Sequence, residues 1–161
     1  IADKLPGLQT RLQQRWAQNN LDLERLHILP RMPVALYLQW VKAADVILDT
    51  PCYTGGANTN YDAFQAGTPV VTLAGQLHRG RYTTAAYQQM GYTPCVAHSA
   101  EAYVQQAIKI AGDPEYRQEV SQEISQRHSA LFKDTAAVKS CAQLMRELLT
   151  QPEQATCNSG F

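Results

Sequence analysis

Asp49-Thr50-Pro51-Cys52-Tyr53-Thr54-Gly55-Gly56-Ala57-Asn58-Thr59-Asn60-Tyr61-Asp62 follows directly on the apolar run Val46-Ile47-Leu48. A short strand, a glycine-bearing loop and a capped helix, in that order, read as one crossover unit of a parallel sheet. Asn58 or Thr59 can cap the helix. In an open α/β sheet, ligands settle just beyond the carboxyl ends of the strands. A helix that starts there offers free backbone N–H groups and the positive end of its dipole, which suits a diphosphate. Gly55 and Gly56 let the backbone come close, because no Cβ stands in the way. Asp62 lies about one turn further on, where a carboxylate can accept two hydroxyl hydrogen bonds from a ribose. The same residues would also serve as a turn and cap that only build the fold. The stretch is neither GxGxxG nor a Walker A loop, since no Gly-Lys-Ser/Thr follows, and this disfavours a nicotinamide or ATP site.

Outward from this segment, four apolar runs recur: Leu26-His27-Ile28-Leu29, Val46-Ile47-Leu48, Val70-Val71-Thr72-Leu73 and Cys95-Val96-Ala97. Their spacing of roughly 20–25 residues fits a strand plus a crossover helix. Helix-like segments lie between them. Leu36, Trp40, Val41 and Ala44 share one face; Ala63, Phe64 and Ala66 follow the glycine loop; Ala85, Ala86 and Met90 form a third. Strands written as continuous apolar runs suit a sheet covered on both faces. The expected fold class is therefore α/β: a Rossmann-like parallel sheet with helices on both faces and a helical C-terminal tail.

An opening helix is expected from Leu8 to Asn19, where Leu8, Leu12, Arg15 and Trp16 form a stripe and Asn19-Asn20 ends it. Four strands make a small sheet, and a chain that opens on a helix leads us to expect at least one strand before Ile1. In the last third, Ala100 to Ala111 reads as a helix. Asp113-Pro114 starts another, with Asp at N-cap and Pro at N1, running towards Phe132. A last helix spans about Thr135 to Thr150. The division expected is a lobe over residues 1–150 and a polar, disordered tail over 151–161.

Composition removes several classes. Lys plus Arg is 14 and Asp plus Glu is 14, so the formal net charge is zero. No basic stripe marks a nucleic-acid partner. No apolar run reaches about 18 residues, and no membrane span is expected. The start lacks both a signal-peptide pattern and an initiator Met, as expected of a cytoplasmic chain cut from something longer. Cys52, Cys95, Cys141 and Cys157 are widely spaced with no CxxC, against a zinc site or a secreted disulfide scaffold.

A longer string carries more. Ala44-Asp45-Val46-Ile47-Leu48-Asp49-Thr50-Pro51, then Gly-Gly-Ala-Asn-Thr, Asp62, Ala66-Gly67-Thr68-Pro69-Val70-Val71-Thr72-Leu73-Ala74-Gly75 and Arg79-Gly80-Arg81 resemble the C-terminal catalytic lobe of the O-GlcNAc transferase family. That family includes the plant SPINDLY proteins and bacterial glycosyltransferases with TPR repeats. The resemblance runs from about Leu26 to Leu149.

It implies a GT-B fold, two Rossmann-like lobes with a cleft between them, and a UDP-GlcNAc-like donor held mainly by this lobe. It implies that Asn58 and Thr59 contact the diphosphate and that Asp62 holds the ribose. It also places the uracil along Arg31-Met32-Pro33 to Tyr37 and Trp40, with Met32 and Tyr37 as candidates. Where the family often has Lys and His on that helix, this chain has Val34 and Tyr37, and Trp40 replaces an Arg.

His78, Arg79 and Arg81 follow the third apolar run. A cation there would offset the charge of a leaving diphosphate, though an ordinary solvated basic loop would read the same. No metal is expected, because no Asp-x-Asp occurs, and no cofactor beyond the donor substrate. No catalytic residue is assigned: base and acceptor groove would come from an N-terminal lobe, and these residues alone are expected to be silent. Expected partners are the donor, a protein or peptide acceptor, that lobe and a TPR region. A degenerate lobe that senses nucleotide sugars or docks a partner is the alternative reading. A sugar-nucleotide epimerase or hydrolase of similar architecture is a third.

Overall fold

The computed structural model describes residues 7–51 and 57–150. The chain falls into two compact units, Ile1–Trp40 and Val41–Phe161.

In the first unit, α1 (Leu8–Gln18) ends at the Asn pair. The Asn19 amide side chain caps the Arg15 carbonyl at 2.7 Å, and Asn20 takes φ 55°, a conformation asparagine tolerates. The Trp16 indole N–H donates to the Asp22 carbonyl at 2.8 Å. Asp22 in turn accepts from the Glu24 amide and caps the 3-10 turn Leu23–Arg25.

The strand expected at Leu26–Leu29 is not formed. Burial alternates along it as a strand would, with Leu26 and Ile28 half-buried and His27 and Leu29 exposed. Among the described residues, however, it has no ladder partner, and extended backbone becomes strand only by pairing. α2 (Val34–Ala43) begins in the first unit and ends in the second. The apolar face read along it is only partly covered. Leu36 and Trp40 are exposed, and burial begins only at Val41. Helical spacing creates an apolar stripe whether or not anything covers it.

The second unit contains β1 (Ile47–Leu48), α3 (Ala57–Ala66), β2 (Val70–Leu73), α4 (Tyr82–Met90) and β3 (Val96–Ala97). The strands are parallel in the order β1-β2-β3, with Ile47 opposite Val70 and Thr72 opposite Val96. The described sheet thus has three strands rather than the four expected, and the α/β parallel class holds. β2 is central, and Val70, Val71 and Thr72 are all buried, as both-face coverage requires.

α3 and α4 pack against each other and against β2, as right-handed crossovers would place them. There Phe64 and Tyr87, both fully buried, meet edge to face at 4.8 Å. The Tyr87 hydroxyl accepts the Val70 amide at 3.1 Å, so a helix side chain completes the backbone of the sheet. α5 (Ala100–Gly112) lies against β2 and β3. Each fully buried Phe64 or Ile110 stabilises by about 2–3 kcal/mol, against about 1 kcal/mol for a helix cap, so this core decides the fold.

α6 (Pro114–Arg127) starts as expected, with Asp113 accepting from the Tyr116 amide and Pro at its first turn. It buries Val120 and Ile124 and ends in the 3-10 turn His128–Leu131. The turn from α3 into β2 needs a glycine. Gly67 has φ +75°, and a Cβ there would stand 2.6 Å from the Ser125 hydroxyl of α6. α7 (Thr135–Thr150) is strongly amphipathic yet buries no residue. The tail expected from Gln151 lies outside the described residues. Among the described residues, no helix is long and apolar enough to cross a membrane.

Candidate functional site

The site is built at the carboxyl edge of the sheet. β1 ends at Leu48, and the Asp49 amide still donates to the Val71 carbonyl at 2.9 Å. Gly55 and Gly56 lie outside the described residues. The chain returns at Ala57 as the first residue of α3. Asn58 is exposed and Thr59 half-buried on the first turn, where backbone N–H groups have no partner within the helix. Asp62 is half-buried, and among the described residues no donor bonds to its carboxylate.

Beneath that turn lies a buried polar cluster. Asp49 is 5% exposed, Asn60 2%, Thr72 1% and Thr83 0%. Thr72 and Thr83 both donate to the same Asp49 carboxylate oxygen, at 2.9 and 2.5 Å. The Asn60 amide donates to the Thr83 hydroxyl. The Tyr103 hydroxyl donates to the Asp49 backbone carbonyl at 2.9 Å, and its pKa is raised by burial first and by the Asp49 charge second. Sequence reasoning missed all of these residues. One signal was available: Thr72 interrupts an apolar run at a position covered on both faces, where a hydroxyl needs a partner.

The loop after β2 closes on itself. The Gly75 amide donates to the Gly80 carbonyl at 3.1 Å. Between them His78–Gly80 make a single 3-10 turn, and the His78 ring meets Tyr82 edge to face at 4.8 Å. Arg81 is the N-cap of α4 and gives no side-chain cap. His78, Arg79 and Arg81 are exposed. A pocket of about 310 Å3 is lined by His78, Arg81, Tyr82, Ala85 and Gln88.

The Asn60–Thr83 bond sets the first turns of α3 and α4 side by side, and Arg81 stands two residues before Thr83. The structure thus brings Asn58, Thr59 and Arg81 to one edge, with His78 and Arg79 on the adjoining loop. Met32 and Tyr37 are partly exposed and belong to the first unit. There the Tyr37 amide bonds to the Pro33 carbonyl at 3.0 Å.

A larger pocket, about 580 Å3, lies at the opposite edge, among residues that precede β1 and β2. Its guanidinium is already engaged: Arg117 pairs with Asp45 at 3.3 Å and donates to the Ile110 and Ala111 carbonyls. Among the described residues, no group of three or more His, Cys, Asp or Glu side chains could hold a metal.

Residues 8–142 match the model of glycosyl transferase family 41. The SPINDLY protein of Solanum lycopersicum, named a probable UDP-N-acetylglucosamine–peptide N-acetylglucosaminyltransferase, is 29% identical over 97 residues. Its Petunia hybrida counterpart is 28% identical over the same length. Each match covers 60% of this chain and 10% of the relative. A solved O-GlcNAc transferase of Thermobaculum terrenum, a K341M mutant, superposes with a TM-score of 0.78 at 27% identity. That match covers 88% of this chain and 28% of that one. The chain therefore spans about a tenth of the length of the curated relatives it matches.

Proposed function

Because this chain belongs to glycosyl transferase family 41, we propose that it is the donor-binding part of a GT-B glycosyltransferase moving GlcNAc from UDP-GlcNAc to protein Ser or Thr. The amides of the first turn of α3, with Asn58 and Thr59, receive the diphosphate, and Gly55-Gly56 let it approach. Asp62 accepts the ribose hydroxyls. Arg81, with Arg79 and His78 beside it, offsets charge on the departing UDP without a metal. Met32 and Tyr37 serve the uracil. An N-terminal lobe supplies the general base and acceptor groove, a TPR region presents the acceptor, and the protein works in the cytoplasm. These residues alone do not turn over.

One observation carries the reading: among the described residues no donor bonds to the Asp62 carboxylate, one turn from an exposed Asn58 on the first turn of α3. Calorimetry with UDP tests it. Binding is expected for the intact chain and loss of it for Asp62→Ala. Neither heat nor thermal stabilisation at millimolar UDP would remove the nucleotide site.

The changed uracil-side positions support a second reading, a lobe that binds nucleotide sugars without transfer. Val34 is 71% exposed where the family often has a lysine. Sugar transfer by the full-length protein would exclude it, and UDP binding without transfer would establish it.

A further inference from the structure

We propose that Asp49 and Thr83 are positioning residues for the nucleotide diphosphate, acting through Asn60 on the first turn of α3; this rests on the donor-binding reading above. Four buried polar side chains at one spot are costly unless mutually satisfied, and apolar residues of like size would pack there with less risk. Their hydrogen bonds have one sense. Each Thr hydroxyl has a single proton, and both protons go to the same Asp49 oxygen. The lone pairs of Thr83 are then left for the Asn60 amide. Without the carboxylate, the Thr83 hydroxyl would be free to turn, and Asn60 would lose a fixed acceptor.

The relay joins the end of β1, the middle of β2 and the first turns of α3 and α4. It therefore ties the residues next to Asn58 and Thr59 to the strand edge by side chains, not by helix packing alone. Donors aimed at a diphosphate act only if held in place beforehand, and a shift of about 1 Å is enough to spoil them.

The test uses UDP as the probe, with every variant measured at a temperature where it remains folded. Thr83→Val, which keeps the shape and removes the hydroxyl, and Asn60→Ala are each expected to weaken UDP binding about fivefold. The double variant should be no weaker than the worse single, as for two members of one network. Thr83→Ser restores the hydroxyl and should return the affinity to near that of the unmodified chain. Unchanged UDP affinity in all variants, with only thermal stability lost, would reduce the cluster to core packing and overturn the proposal.

Hydrogen exchange at the Tyr61, Asp62 and Ala63 amides separates this from the donor reading. If the intact chain binds no UDP, the donor reading falls and exchange alone decides the relay. Faster exchange in Thr83→Val but not in Thr83→Ser supports a held helix tip. Equal exchange in both refutes it.

Discussion

The Gly75 amide reaches the Gly80 carbonyl at 3.1 Å, and a Cβ on Gly75 would stand 3.0 Å from that oxygen and 3.2 Å from the Gly80 Cα. Both obstacles are backbone, so neither can swing aside. Gly75→Ala should destabilise the second unit by about 1–2 kcal/mol and displace the loop that carries His78 and Arg79. Urea unfolding measures the first effect and amide chemical shifts of residues 76–81 the second. Native-like shifts would show that the pinch is slack.

Gly67 makes the contrasting case. Its nearest obstacle is the end of a serine side chain, but its φ of +75° is itself unfavourable for any residue with a Cβ. Gly67→Ala combined with Ser125→Ala should therefore remain destabilised by about 1 kcal/mol. Full recovery in the double variant would mean that the clash alone mattered.

Asp113→Ala should cost about 1 kcal/mol, because the Tyr116 amide at the start of α6 loses its acceptor. Asp113→Asn keeps an oxygen there and should recover most of the loss. The denaturation midpoint should move while the slope stays constant.

Tyr87→Phe keeps the ring against Phe64 but strips the partner from the buried Val70 amide. A loss of about 1–3 kcal/mol is expected, smaller than the roughly 3–5 kcal/mol of Phe64→Ala. Thermal melts of the two variants rank them directly, and the reverse order would count against the hydrogen bond.

Burial pushes the Cys95 thiol from 9.0 to about 11, with hydrogen bonds from Tyr87 and Gln106 opposing the shift. The folded value lies above the unfolded one. Its contribution is thus full below about pH 9 and is lost as pH rises towards about 11. Tyr87, raised well above 10.0 chiefly by burial, adds a loss of the same sign at higher pH. Cys95→Ala should flatten the early part of the alkaline stability curve. At neutral pH, alkylation followed by peptide mapping should label exposed Cys141 long before Cys95.

Local signals were legible where the chain writes its own punctuation. Asn19-Asn20 ended α1, Asp113-Pro114 opened α6, and the runs at Ile47, Val70 and Val96 became strands in parallel register. Leu26–Leu29 carried the same kind of run but depends on a partner strand, which no local pattern can supply. Asn58, Thr59 and Asp62 could be placed at a strand's carboxyl end because the strand–loop–helix order dictates it. The Asp49–Thr83–Asn60 relay could not, since it joins residues 23 and 34 apart in sequence and only the crossover brings them together.

Both indoles, Trp16 and Trp40, fall before the boundary at Val41, whereas every tyrosine but Tyr37 falls after it. The chain is thus colour-coded by its own chromophores. Indole emission therefore follows the first unit with no indole in the second to obscure it, and one unlabelled sample yields that melting curve.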